Sequence, residues 1–264
     1  METFDFFRTF GMKIEIFAKN LEMKKLFGLL LLQFVSLTIK AQPPGYDDLK
    51  ILYADAKYEK LVKSSENYTL KEELKKDPVP FVYLAKGLFK ISQSGTAEEK
   101  YKNAYKDAIG ALAKGMKAAK DSMELLSAHM EFIGQFQNSM VEMIGNDLAA
   151  KDYNKAGGWV IKYYKITTNS IGAKYMDGVV KYRNADKSGA NTLWKEAETM
   201  LKKITSLDDW TEADKTLLKL GVMETAECYI SSKQVAKAKE TMSKVVSWFE
   251  SDSDFKEKYD ALSN

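Results

Sequence analysis

The residue types in this 264-residue chain that could do covalent or metal chemistry are few and scattered. There is one cysteine, Cys228, and one histidine, His129. A nucleophile and its base must meet within hydrogen-bond reach, and two isolated residues on distant segments give no such pairing. They read as a helix-packing thiol and a partly exposed imidazole. A single cysteine excludes an internal disulfide and cysteine-rich metal sites; a single histidine excludes multi-histidine metal sites. The carboxylates Asp208, Asp209, Glu212 and Asp214 do cluster. Acid–base or metal work is one reading, but they straddle a turn and a first helical turn, where negative charge suits the helix dipole, so capping is expected. Gly157-Gly158 lacks the strand, the lysine-serine pair and the helix start of a phosphate loop, and is expected to serve close packing or a kink. The aromatics Trp159, Tyr163, Tyr164, Tyr175 and Trp210 offer faces for sugars, although three of them fall within or beside core-patterned segments. Methionines 116, 123, 130, 140 and 143 read as gap-filling core, with an adaptable groove as the alternative. No catalytic, cofactor-binding or metal-binding residue is expected.

The elements that carry these residues are helices. The chain has only four prolines, is rich in helix-forming residues, and shows no sustained period-two alternation. Its hydrophobic content of 45% suffices for a core. The net charge is +3, and from Gln42 onward 34 basic residues face 33 acidic ones with the signs interspersed, which argues against a nucleic-acid surface. Apolar spacing predicts one amphipathic helix within 46–67. Asp77-Pro78-Val79-Pro80 predicts a helix start, with Phe81, Leu84, Ala85, Leu88 and Phe89 facing inward and Ser94-Gly95 ending it. Thr96 and Glu99 form a capping-box signature for a helix running to about Lys120. A methionine-rich segment spans 123–148, followed by helices over 152–165 and about 171–186. Ser188-Gly189 turns into a helix around Trp194, another spans 211–231, and Ser232-Lys233 starts a last long helix.

One pattern recurs along the chain. It reads Tyr105-Ala108-Leu112-Gly115, Tyr153-Ala156-Val160-Tyr163, Trp194-Ala197-Leu201-Ile204 and Val235-Ala238-Met242-Val245, with a looser copy, Tyr58-Leu61-Ser65-Tyr68. Offsets of three and four place these positions on one side of a helix, with a small residue allowing close approach. The small residues recur every 41 to 48 positions, the signature of a stacked helical array. On these residues, and on Ala226 and Tyr229 ahead of the Val235 copy, the chain resembles the tetratricopeptide repeat (TPR) family. The Trp-Leu-Gly opening and most inter-repeat prolines of that family are absent. The resemblance covers most of 46–250 and implies an all-α fold, a right-handed helical-hairpin solenoid of TPR-like repeats. It also implies a concave surface lined by first helices, where register transfer places Asn138, Val141, Tyr182, Asp186, Met223 and Glu227 as partner-binding residues.

At the N-terminus, Met23-Lys24-Lys25, the apolar run 26–39 and Ala41-Gln42-Pro43-Pro44 have the anatomy of a secretory signal peptide cut after Ala41. The run is shorter than a membrane span, and an uncleaved N-terminal anchor is the alternative reading. Met23 is the suspected true start, residues 1–41 are read as extension plus signal, and 42–264 as a single repeat domain. The expectation is a non-enzymatic scaffold, periplasmic or secreted, binding a protein or peptide partner. It would have no cofactor, no nucleic acid and no membrane span after cleavage. A small-molecule or glycan receptor is the alternative.

Overall fold

Pro78 stands at the first position of a helix, where its missing N–H is no loss, and the Asp77 carboxylate accepts from the Val79 N–H at 2.9 Å. A computed structural model describes residues 45–95 and 98–262. Among them are eleven α-helices and no strand. They are α1 (Asp47–Ala54), α2 (Tyr58–Thr69), α3 (Pro78–Gln93), α4 (Ala104–Ala118), α5 (Met130–Ala149), α6 (Tyr153–Tyr163), α7 (Ile171–Arg183), α8 (Lys187–Leu201), α9 (Glu212–Ser231), α10 (Val235–Ser243) and α11 (Ser253–Ala261). A 3-10 segment, Met123–His129, leads into α5. From Tyr46 onward the described residues form one compact unit. The signal-peptide reading and Thr96 of the capping box lie outside the described residues.

Four of the connections are the same object. Ala56, Lys151, Ala185 and Lys233 each take a left-handed backbone conformation, with φ of 55°, 59°, 68° and 62°. In each, the N–H of that residue reaches back three residues and the next N–H reaches back five, as in Ala185 to Tyr182 (3.0 Å) and Asp186 to Lys181 (2.8 Å). This is the Schellman closure of a helix C-terminus. The residue after it is already the N-cap of the next helix: Lys57, Asp152, Asp186 and Gln234. The pairs α1–α2, α5–α6, α7–α8 and α9–α10 are therefore hairpins built on one turn. α3 and α4 form a fifth, joined by a longer loop, with Phe89 beside Tyr105 and Pro78 beside Gly115.

Hairpins pack on one another in a consistent sense. Gly172 meets the Leu217–Leu218 backbone, Gly221 meets Tyr175, and Arg183 pairs with Glu224 at 3.8 Å, so α7 and α9 run parallel. Tyr83 faces His129, and Phe89 faces Phe132 and Phe136, so α3 runs parallel to α5. α6 packs antiparallel on α7, with Gly157 against Val180 and Asn154 bonded to Asn184. α9 lies against both α7 and α5. α7 is consequently buried around most of its circumference, from Ile171 through Val180. The core is continuous from α3 to α11, with a smaller cluster of Tyr46, Leu49, Leu61 and Tyr83 under α1.

Ala108, Ala156, Ala197 and Ala238 are all fully buried, and so is Ser65. The small motif positions thus face neighbouring helices, whereas Val235 is 48% exposed and Tyr153 is only partly buried. Measured from the left-handed turn residue, the Tyr58, Tyr153 and Val235 copies occupy identical positions. The Trp194 copy does not. At the equivalent place stand Lys187, Ala190, Trp194 and Ala197, two helical turns earlier, and Ala190 is also fully buried. The even 41-residue step between small residues becomes 34 residues from Lys151 to Ala185, then 48 from Ala185 to Lys233.

Other boundaries differ from expectation. The single helix expected over 46–67 is two, because the chain reverses at Ala56. The helix expected to be the last long one is only nine residues. A 3-10 turn (Val246–Trp248) and α11 follow, the latter capped by Asp252. His129, expected to be partly exposed, is 7% exposed.

Candidate functional site

Tyr105 lies in the first turn of α4, and Trp159 lies midway along α6. Their rings meet edge to face with centroids 5.8 Å apart, a favoured aromatic geometry. Each ring is pinned at its polar end. The Tyr105 hydroxyl lies 2.8 Å from Ser139 Oγ, and the Trp159 indole N–H donates to Asp147 at 3.0 Å. These rings form part of the wall of a cleft of about 480 Å³, closed by Ser92 and Gln93 at the end of α3, Asn103 and Lys106 at the start of α4, and Glu142 and Met143 of α5. Lys162 lays its ammonium 4.6 Å from the Trp159 ring centroid, and its one hydrogen bond is to the Gly158 carbonyl at 3.2 Å. Burial, then the charges of Lys106 and Lys165, hold its pKa below the usual lysine value. Aromatic faces, amides, hydroxyls and ammonium groups on one concave surface recognise extended, polar-and-apolar ligands by shape and hydrogen bonding.

A second cleft, of about 470 Å³, lies where Met200, Lys203 and Ile204, at and beyond the end of α8, meet Trp210 and the first turns of α7 and α9. Asp214 reaches its base. It is 4% exposed and accepts from the hydroxyls of Tyr163 (2.7 Å), Thr167 (2.8 Å) and Thr211 (3.0 Å). Burial raises its pKa and the three hydroxyls oppose that rise. Thr211 also caps α9 by accepting from the Asp214 N–H. Asp214 is thus a buried clamp between the 163–167 segment and α9, whereas the side-chain cap of α9 is the Thr211 hydroxyl rather than a carboxylate, and Asp208, Asp209 and Glu212 are exposed. No group of three or more potential metal ligands occurs among the described residues.

A third polar group is internal. Lys86 Nζ lies 3.1 Å from His129 Nδ1, and the rings of Tyr53, Tyr83 and Phe132 surround it at 5.0, 5.1 and 5.6 Å. It forms no ion pair among the described residues. The pattern carries a signal for it: Lys86 stands at a core position of α3, four residues after Val82 and three before Phe89.

The partner-binding residues expected from register fall in varied surroundings. Val141 is buried at 5% exposure rather than lining a groove, because it faces the core from α5. Tyr182 is half-buried against Trp194, with centroids 5.7 Å apart. Asp186 caps α8 through the Gly189 N–H and pairs with Lys181. Glu227 pairs with Lys258 of α11 at 2.7 Å, and Met223 and Asn138 are partly buried. Of the five aromatics with sugar-stacking potential, Trp159 and Trp210 line the two clefts, whereas Tyr163 and Tyr175 are fully buried. Cys228 is buried in helix packing, which pushes its thiol up to about 11.

No protein-family model matches the chain, and no curated protein matches it. The class that the fold defines is an all-helical protein of mutually packed hairpins. No helix among the described residues is long and apolar enough to cross a membrane.

Proposed function

We propose that this chain is an exported, non-enzymatic helical scaffold that binds a protein or peptide partner, working within a cell-envelope complex. The observation that carries the reading is the recurrence of one hairpin turn with parallel first helices, α3 beside α5 and α7 beside α9. Such stacking is how helical arrays make extended binding surfaces. The 34-residue step from Lys151 to Ala185 equals the length of a tetratricopeptide repeat, which favours a right-handed TPR-like solenoid in that stretch. The 48-residue step that follows, and the contact of α9 with α5, depart from a regular array.

Export rests on residues 23–41, and the processed chain would begin at Gln42. Two measurements test the reading. N-terminal sequencing of the protein purified from its native envelope should return Gln-Pro-Pro-Gly. Cross-linking with the tagged protein in that envelope should then trap a stoichiometric protein partner, lost in a variant carrying Tyr105→Ala and Trp159→Ala. Recovery of the chain alone, together with a thermal shift induced by small glycans, would instead establish a ligand receptor, for which the Trp159 cleft is the relevant surface.

A further inference from the structure

Asp214, at the base of the Trp210 cleft, carries a buried charge that no cation among the described residues offsets. Its Oδ1 accepts from the Tyr163 and Thr167 hydroxyls, whereas Oδ2 accepts from the Thr211 hydroxyl alone. A carboxylate has about four acceptor positions, two on each oxygen, so Oδ2 has room for another donor. The three donors present are neutral, and a buried charge without a counter-charge is costly. The wall above it is apolar, formed by Trp210, Met130, Met200 and Ile204. Trp159 and Trp194 have their N–H groups bonded to Asp147 and to the Tyr175 carbonyl, and their rings packed on other rings. Trp210 has neither kind of partner among the described residues, so its face and its N–H are both free for a ligand. The rim carries both signs. Lys203 and Asp209 line this cleft, and neither forms an ion pair among the described residues. The start of α7 lies there as well, and the only side chain that meets its first N–H groups is Asn169, at Ile171.

We propose that this cleft binds a free α-amino acid with an aromatic or large aliphatic side chain. The ligand ammonium donates to Asp214 Oδ2 and is drawn to Asp209, the ligand carboxylate meets Lys203, and the side chain packs on Trp210, Met130 and Met200. Lys203 disfavours a purely cationic ligand, and the two carboxylates disfavour a purely anionic one. A zwitterion satisfies all three groups, and the selection comes as much from the charges it avoids leaving unpaired as from those it pairs. The volume of about 470 Å³ lies toward the small end of ligand pockets, the size for one amino acid and not for a polymer. The site is separate from the Tyr105–Trp159 surface, so it stands or falls independently of the scaffold reading.

The test is a thermal-shift panel of the twenty L-amino acids on the purified chain, followed by calorimetric titration of L-phenylalanine, phenethylamine and 3-phenylpropionate. The aromatic and large aliphatic amino acids should raise the melting temperature, and the charged ones should not. Phenethylamine, which lacks the carboxylate, and 3-phenylpropionate, which lacks the ammonium, should each bind at least tenfold more weakly than L-phenylalanine. Lys203 and Asp209 are exposed, so their variants test the pairing without disturbing the fold. Lys203→Met should bring L-phenylalanine and phenethylamine to within threefold of each other, and Asp209→Asn should narrow the gap between L-phenylalanine and 3-phenylpropionate. Asp214→Asn should lose L-phenylalanine altogether; if that variant does not fold, the two exposed positions carry the test. No shift with any amino acid, phenethylamine binding as tightly as L-phenylalanine, or affinities indifferent to Lys203→Met and Asp209→Asn would each overturn the proposal and leave the scaffold reading standing.

Discussion

Lys86 Nζ sits 3.1 Å from His129 Nδ1 at the junction of α1, α3 and the start of α5, so two basic groups share a buried contact with no carboxylate among the described residues paired to either. An ammonium can only donate, so Nδ1 accepts and the imidazole proton resides on Nε2. Burial first, then Lys86 and Lys50, pushes His129 down to about 4 from the ordinary 6.5. Burial likewise lowers Lys86, with Glu131 acting in the opposite sense.

Acid should therefore loosen this end of the molecule. The folded state binds fewer protons at His129 than the unfolded chain between pH 6.5 and about 4. Stability from this group is complete above pH 6.5, declines as pH falls through that window, and the full loss is roughly 3 kcal/mol. Urea unfolding at several pH values should show the decline. His129→Gln, which keeps an acceptor and does not titrate, should flatten it. Lys86→Met removes the adjacent charge and should raise the His129 pKa read by NMR. Equal pH slopes for wild type and His129→Gln would dismiss the contact as the cause.

Much of the packing could be read in the sequence because helical spacing and small residues are one-dimensional signals. Ala108, Ala156, Ala197 and Ala238 are buried for that reason. Register was harder to read. Ala190-Trp194-Ala197 and Trp194-Ala197-Leu201 share residues and spacing, and only the left-handed turn at Ala185 decides which aligns with the neighbouring hairpins. That turn carries no glycine, so nothing in the sequence marks it. Both clefts escaped notice for a different reason. Tyr105 and Trp159 are 54 residues apart, and their meeting depends on how α4 and α6 dock on α5.

The α7–α9 interface depends on missing side chains. A Cβ on Gly172 would lie 2.5 Å from the Leu218 nitrogen, and one on Gly221 would lie 2.8 Å from Tyr175 Cβ. Backbone cannot yield as a flexible side chain can, so Gly172→Ala should destabilise by about 3 kcal/mol. Gly110 faces open space within α4 and has no unusual φ, so Gly110→Ala should stabilise by about 0.5–1 kcal/mol through helix propensity. Denaturant midpoints measure both. Opposite signs are the expected result, and a neutral Gly172→Ala would mean that α7 and α9 lie farther apart.

Asp214 is buried among hydroxyls, and each one offsets part of the cost of its charge. Its pKa is raised, so the charged form is disfavoured in the fold and stability from this group falls as pH climbs from 3.8 through the raised value. Tyr163→Phe removes one donor at constant volume. It should raise the Asp214 pKa further and cost about 1–3 kcal/mol at pH 7, with a smaller penalty near pH 4, where the carboxyl is protonated in the mutant. A penalty independent of pH would assign the effect to packing of the ring instead.

The four Schellman turns supply the last prediction. Ala56, Lys151, Ala185 and Lys233 hold φ between 55° and 68°, a region that places Cβ against the following carbonyl. Glycine lacks that clash and is the residue most often found at this position. Ala185→Gly and Lys151→Gly should each stabilise by about 1 kcal/mol, net of the added freedom in the unfolded chain. The turns belong to separate hairpins, so the double variant should gain close to the sum. Ala190→Gly, five residues past the turn and fully buried in α8, should lose stability by at least as much. The comparison bears on register as well as strain. A gain at Ala185 with a loss at Ala190 fixes the hairpin start where the turn places it, whereas the reverse pattern would return the α7–α8 hairpin to the spacing of the Trp194 motif.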